Sequence, residues 1–356
     1  MEISLLSPSD EAWAETLEHG PHDIYHLPAY ASLEANRQGG RALGVLIHDN
    51  NTRLLLPWIL IPTHIGGNKE PSINSWDATS PYGYPAPLIV GKTQNIDAFM
   101  DKALTTLKEE MASQKIATGF LRMHPLLQNQ NSVLNHHGTV VQHGETIWLD
   151  LTLPNEELWR QTRKQTRNAI NRLTAQGLTS RVDNSFTHYG YFRKIYYKTM
   201  NQADAANWYY FNEAYFQQLR DSLGKHLSLA IVEDGDGRIC AGALFTETNG
   251  LVQYHLAATA SDHPYRESMK LLLHFARTWF KERGNRAMHL GGGLSAEHDS
   301  LFLFKSGFSK LRSPFHTWRT IFNENLYREA IQCWEEKSGR QAGDITKYFP
   351  PYHLPW

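Results

Sequence analysis

The chain has 356 residues, 41% of them hydrophobic and 20% charged, which is the balance of an ordinary globular protein with length enough for two domains. Its 35 Lys and Arg residues against 36 Asp and Glu leave a net charge of −1, so no overall basic field is available for nucleic acid and such binding needs a local patch. The two cysteines, Cys240 and Cys333, form neither a disulfide framework nor a metal set, and the histidines, His22 and His26 included, show no ligand spacing, so no metal is expected. The first ten residues lack the basic flank and apolar run of a signal peptide. The longest apolar stretch, Leu54 to Pro62, is too short to span a bilayer. A reducing, cytoplasmic location with no integral membrane segment is the expectation.

In chain order, a helix is expected around Asp10 to Leu17, followed by the aromatic run from Tyr25 to Tyr30. Strands at Ala42 to His48 and Leu54 to Pro62 are joined by a turn at Asp49-Asn50-Asn51. A loop rich in Gly, Pro and Ser runs from Gly66 to Pro87. It is followed by a helix at Asp97 to Met111 and strands at Ala117 to His124 and Thr146 to Leu151. Near residue 150 the pattern changes. Pro154-Asn155-Glu156-Glu157 starts a helix expected to run to Gln176 and stop at Gly177. An aromatic helical region, Tyr189 to Leu223, leads into a meander whose turns are Asp234-Gly235-Asp236-Gly237 and Asn249-Gly250. An amphipathic helix with Met269, Leu272, Leu273, Ala276 and Phe280 on one face then delivers the strand Ala287 to Leu290.

The strand ends in Gly291-Gly292-Gly293, and after a short gap comes Phe304-Lys305-Ser306-Gly307-Phe308. Glycines let a ligand approach the backbone, and a lysine held among phenylalanines suits an anion or a developing oxyanion. A second basic cluster comprises Lys305, Lys310, Arg312 and Arg319. On the helix expected after residue 154, Arg160, Arg163, Lys164, Arg167 and Asn171 share one face, with no acid after Glu157 to relieve them; an anionic partner such as a phosphate backbone would. The loop from Trp76 through Asp77 to Tyr82 and Tyr84 combines an acid with polar-tipped aromatics, as an amphipathic acceptor requires.

Four segments together resemble the Fem-type aminoacyltransferases and their relatives: Tyr25-His26-Leu27-Pro28-Ala29-Tyr30, Ser80-Pro81-Tyr82-Gly83-Tyr84-Pro85, Lys164 to Arg172 with Gly177, and His289 to Phe308. The resemblance implies two tandem GNAT-like domains of mixed α+β class, with mostly antiparallel central sheets flanked by helices. The domains are expected at 1–148 and 149–325, with a tail at 326–356 that packs across them. It further implies transfer of an amino acid from aminoacyl-tRNA to an amine of a peptide or small molecule, with no cofactor beyond that co-substrate. Arg167 matches the arginine that contacts substrate phosphate, and Arg163 and Lys164 flank it. In cell-wall members a basic residue follows the first helical motif, whereas Ala31 to Asn36 here is acidic or neutral until Arg37.

On this reading a neutral amine attacks the ester carbonyl, a tetrahedral oxyanion forms and the ribose hydroxyl leaves. Lys305 is the expected cation and Phe304 shapes the channel, with Gly291, Gly292, Tyr254 and His255 lining the substrate. Asp77, His255 and Asp299 are the candidate bases, and substrate-assisted proton transfer is the other route. Two further functions fit the same fold: an N-acyltransferase using acyl-CoA or acyl-carrier protein, and a non-catalytic RNA- or ligand-binding protein. The match Arg37-Gln38-Gly39-Gly40-Arg41-Ala42 to a CoA-pyrophosphate motif precedes a strand and opens no helix, and residues 260–266 contain no glycine, which disfavours CoA.

Overall fold

The computed structural model describes residues 1–49, 51–67, 73–127, 131–294 and 299–355. Asn50 of the expected turn and residues 68–72 of the expected loop lie outside the described residues. The chain forms two compact units, one of Met1–His143 with Phe315–Trp356 and the other of Gly144–Pro314.

The first unit begins with β1 (Glu2–Leu6), α1 (Glu11–Glu18), α2 (Pro28–Gln38), β2 (Arg41–Asp49), β3 (Thr52–Pro62), β4 (Trp76–Thr79) and β5 (Leu88–Gly91). It continues through α3 (Ile96–Ser113), β6 (Ile116–Arg122) and α4 (Asn131–His136) into β7 (Thr139–Asp150), within which the chain enters the second unit. That unit contains α5 (Asn155–Gln161), α6 (Lys164–Ala175), β8 (Thr179–Val182), α7 (Tyr189–Gln202), α8 (Glu213–Leu223), β9 (Leu227–Glu233), β10 (Ile239–Thr248) and β11 (Leu251–Thr259). After α9 (Ser268–Glu282), β12 (Ala287–Gly291) and α10 (Ser300–Lys305), the chain returns to the first unit within β13 (Arg312–Ile321) and ends with α11 (Glu324–Ser338) and a tail.

In the first unit the strand order is β1-β2-β3-β4-β6-β13, with β5 also on β3; among the described residues of this unit only β4 and β6 pair in parallel. β3 is buried along nearly its whole length, which its apolar run from Leu54 to Pro62 requires. α3 starts where the Asn95 side chain accepts from the Ala98 N–H, and it packs Phe99, Leu104 and Leu107 against Trp58 and Trp318 in the core. The tail is fastened to this unit. Trp334 Nε1 donates to the Leu354 carbonyl at 2.7 Å, and the Gly66 N–H donates to the Tyr352 carbonyl at 2.8 Å.

In the second unit the order is β7-β12-β11-β10-β9-β8, antiparallel except between β11 and β12. The hairpin between β10 and β11 turns at Asn249 (φ 48°) and Gly250 (φ 76°), the two left-handed residues that match the strands' twist. α9 buries the expected Leu272, Leu273, Ala276 and Phe280 against this sheet. The helix expected to run from 155 to 176 is instead two helices, because Thr162 and Arg163 take extended conformations with ψ 131° and 138°. No helix among the described residues is long and apolar enough to cross a membrane.

The tail's anchor is Asp77, 2% exposed, whose Oδ1 accepts from Tyr352 Oη at 2.5 Å and Thr118 Oγ1 at 2.6 Å. His353 Nε2 lies 3.0 Å from Oδ2. Replacing Asp77 by alanine leaves these buried groups without their shared acceptor, so Asp77→Ala is expected to lose about 2–4 kcal/mol of stability, measured by urea unfolding.

Candidate active site

The second unit builds its site where β11 and β12 part. Their parallel pairing extends only from Leu251–Ala287 to Gln253–His289. Beyond that point both strands are irregular. Leu244 pairs with Leu256 but Phe245 with Tyr254, which leaves His255 as an extra residue, and on β12 Leu290 is extra between His289 and Gly291. His289 Nδ1 is 2.8 Å from Gln253 Oε1, closing the paired end with a side-chain bridge.

The glycine turn follows directly. Gly291 has φ 76°, and a Cβ on Gly292 would lie 2.9 Å from the Glu145 carbonyl oxygen, so the turn is pressed against β7. α10 then begins at Asp299, whose side chain accepts from the Phe302 N–H at 2.8 Å and the Leu294 N–H at 2.7 Å. Burial works against that carboxylate, but these backbone donors and nearby Lys305 bring its pKa below the usual range. Asp299 is therefore a cap, and its oxygens are occupied in that role.

Lys305, the last residue of α10, is 7% exposed. Its Nζ donates to the Gly292 carbonyl at 2.6 Å, so the sequence's two most conspicuous features are one hydrogen-bonded unit. Burial lowers its pKa to about 8, against the pull of Asp299. The amine still holds its proton at neutral pH, and the bond to Gly292 occupies one of its three N–H groups. Phe304 is half-buried, edge-on to Phe308 at 5.9 Å, and packs on the unit's core.

The helix break brings the basic segment to this turn. The Arg163 N–H donates to the Gly307 carbonyl at 2.8 Å, and a Cβ on Gly307 would lie 2.5 Å from Thr166 Oγ1. Arg163 and Lys164 are exposed at the start of α6, where the helix's free N–H groups favour anions. Arg167 turns back, its Nη1 donating to the carbonyls of Trp159 at 3.2 Å and Arg160 at 3.1 Å, the C-terminal end of α5.

The continuous basic stripe read from the sequence does not form: the break puts Arg160 on a different helix from Lys164 and Arg167, and within α5 Arg160 pairs with Glu157. Arg172 meets an acid distant in sequence, Glu267. The second basic cluster is also divided. Arg312 bonds the Ser309 and Leu311 carbonyls and lies over the Phe302 ring, whereas Arg319 belongs to the first unit.

A residue that sequence reading passed over holds the break. Arg277, 1% exposed, donates to the Leu158 carbonyl at 3.1 Å and Thr162 Oγ1 at 2.7 Å, with His274 Nδ1 2.9 Å away. These partners are neutral, and burial lowers its pKa to about 10. Its signal was available: a lone arginine on the α9 stripe, four residues after Leu273 and three before Phe280.

Tyr254 and His255 sit at the β11 bulge, both half-buried. Burial lowers His255 to about 4 and raises the Tyr254 phenol, so both are neutral at physiological pH. In the glycine-free segment before α9, the residue preceding the helix is Glu267, bonded to Lys270 and Arg172. The Arg37–Ala42 match closes α2 and opens β2, the wrong polarity for a phosphate cradle.

The remaining candidates lie in the first unit. Trp76 carries the Arg41 guanidinium over its ring at 4.8 Å, and Asp77 is committed to the tail, which removes it as a base. Tyr82 accepts from Tyr30 Oη at 2.9 Å through its carbonyl, and its N–H donates to Glu34 at 3.3 Å. Tyr84 stands edge-on to Tyr25 and Phe315. Around these aromatics are groups the sequence did not single out: fully buried Glu34, bonded to Arg37 at 2.6 Å, and Arg122, which bonds Ser80 at 3.2 Å and whose pKa burial lowers. Their chemistry is visible only once β6 and α2 are packed together with this loop.

The model of the acetyltransferase (GNAT) domain family matches residues 160–298. Among solved structures, FemX is 13% identical over 92% of this chain and 99% of its own, with a TM-score of 0.69. L-PGS from Bacillus licheniformis is 12% identical over 90% and 93%, with a TM-score of 0.55. The C-terminal domain of a putative lysylphosphatidylglycerol synthetase from Agrobacterium fabrum is 17% identical over 88% and 92%, with a TM-score of 0.52. No curated protein matches the chain. The second unit thus carries a domain of the acetyltransferase (GNAT) class. The whole chain has the Fem-type tandem GNAT fold, as the four sequence segments implied.

The buried amine gives a direct test. In protein whose lysines are labelled for NMR, one side chain is expected to titrate near pH 8 and to be missing from Lys305→Met. Because the native fold depresses this pKa, the ammonium is costly there below pH 8. Lys305→Met is therefore expected to keep or raise the melting temperature at pH 7.

Proposed function

We propose that the chain is an acyltransferase that moves an aminoacyl group from aminoacyl-tRNA onto an amine of a peptide or small molecule. The observation that carries this reading is the buried Lys305 ammonium, fixed on the glycine turn at the parting of two parallel strands of a GNAT-class domain. Beside it, Arg163 and Lys164 open α6 with exposed cations, which suits the phosphates of a tRNA acceptor end. Residues 260–266, ahead of α9, contain no glycine and so lack the backbone cradle a CoA pyrophosphate needs, which favours the tRNA donor over acyl-CoA.

The chemistry asks little of the protein beyond position and charge, because an aminoacyl ester is already activated. The neutral amine attacks the ester carbonyl, the C–N bond forms, and the oxyanion is stabilised by the Lys305 ammonium. The C–O bond to ribose then breaks, and the leaving oxygen takes the proton given up by the amine. His255 is neutral and stays a secondary candidate for carrying that proton. Phe304, Tyr254 and the Gly291–Gly292 backbone line the donor end, and Arg167 steadies the α5–α6 break from which Arg163 and Lys164 project.

Incubation with radiolabelled aminoacyl-tRNA and a panel of amines and peptides is expected to give labelled amide. Ribonuclease should abolish it, and Lys305→Met should reduce it by about 100-fold or more. Transfer that survives ribonuclease and requires an acyl-CoA would overturn the tRNA donor; binding of tRNA without turnover, unaffected by Lys305→Met, would favour a binding protein.

A further inference from the structure

A second cluster in the same unit has no part in the proposed transfer. Asp234 closes the β9–β10 hairpin, Cys240 lies near the start of β10, and His263 lies between β11 and α9. Their three ligand atoms all lie within 4.8 Å of one another. We propose that Asp234, Cys240 and His263 form a metal site for a divalent ion of zinc's class, which fastens the segment between β11 and α9 to the β9–β10 hairpin.

The donor set fits such an ion. Thiolate, imidazole and carboxylate together select a borderline-soft metal over calcium or magnesium, which take oxygen. Zinc bonds of about 2.3 Å to sulfur and about 2.0 Å to nitrogen, at a tetrahedral angle, put the two donors about 3.6 Å apart. Cys240 Sγ is 3.7 Å from each ring nitrogen of His263. His263 Nε2 and Asp234 Oδ2 are 2.9 Å apart and need to open by only about 0.4 Å to share an ion.

Each donor is also held in place by a second contact, as ligands generally are. The Asp236 and Arg238 N–H groups occupy Asp234 Oδ1, at 3.0 and 2.8 Å, which turns Oδ2 towards His263. The His263 ring stacks on Tyr265 at 5.1 Å. Cys240 is an extra residue in β10, where Ile239 pairs with Glu233 and Ala241 with Val232. The Arg238 carbonyl, 3.6 Å from Sγ, already accepts from the Asp234 N–H at 3.0 Å, so solvent would supply the fourth ligand.

The same three residue types could form a nucleophilic triad, but Cys240 is 0% exposed, and a substrate carbonyl has no approach to its sulfur. Burial that bars a substrate is no obstacle to an ion entering past Asp234 and His263, whose side chains are 9% and 11% exposed. On binding, the thiol proton leaves to solvent and the metal–sulfur bond replaces it. The mechanical consequence is local. The Cys240 carbonyl already accepts from the Ala260 N–H at 2.9 Å and Ser268 Oγ at 3.3 Å, so the ion would complete a clasp on both ends of the segment that leads into α9.

The probe is cobalt(II), titrated into the full-length protein after chelator treatment. One equivalent is expected to produce a thiolate-to-cobalt charge-transfer band and the intense visible bands of a four-coordinate ion, both displaced by zinc. Cys240→Ser should abolish the charge-transfer band, and Cys333→Ser should leave it intact. His263→Gln should weaken binding by more than the about 10–100-fold typical of an outer-shell change. The absence of the band, or its survival in Cys240→Ser, would overturn the proposal. If Cys240→Ser does not fold, the wild-type melting temperature decides: equimolar zinc is expected to raise it and excess chelator to lower it, and no response to either overturns the site.

Discussion

The bond from the Lys305 ammonium to the Gly292 carbonyl is the constraint around which the second unit is organised. A cation 7% exposed is costly, and it persists only where surrounding groups fix it. Asp299 caps α10 and supplies a nearby negative charge, β7 presses on the glycine turn, and the Arg163 N–H ties α6 to Gly307 two residues beyond the lysine. Burial disfavours the charged form there and lowers the lysine's pKa to about 8. Such a cost is characteristic of a site kept for chemistry, since a methionine of similar length would pack there without it.

The basic segment has its role through a break in the helix, and the break depends on Arg277. Its guanidinium and the Thr162 hydroxyl both donate to the Leu158 carbonyl, which a continuous helix would have bonded with the Thr162 N–H, and the guanidinium also donates to that hydroxyl. Arg167 satisfies two more carbonyls at the end of α5. Two arginines, one buried and one half-exposed, thus replace the missing backbone bonds, and the new N-terminus of α6 faces the turn that carries Lys305.

Much of the fold was legible in the sequence because its signals are local. The Asn249-Gly250 turn, the α9 stripe and the buried run of β3 each follow from a few neighbouring residues. The short strands β1, β4, β5 and β8 were not legible, since four or five residues carry too little periodicity. β13 was missed for a different reason. Its pairing partner β6 is far away in sequence, and that pairing helps place Trp318 and Arg319 in the first unit.

The sequence by itself determined the local chemistry: a glycine turn followed by a lysine, a basic segment after residue 160, and an aromatic loop around Tyr82, in the order of a tandem GNAT chain. Tertiary structure decided which of these charges are spent on structure. Asp77, read as a possible base, is held by Tyr352, Thr118 and His353, and Arg172 is neutralised by Glu267, 95 residues away. Composition and spacing state which groups a chain owns. Whether a group is solvated, paired or buried depends on partners brought together by long-range packing, and burial sets the free energy of a charge.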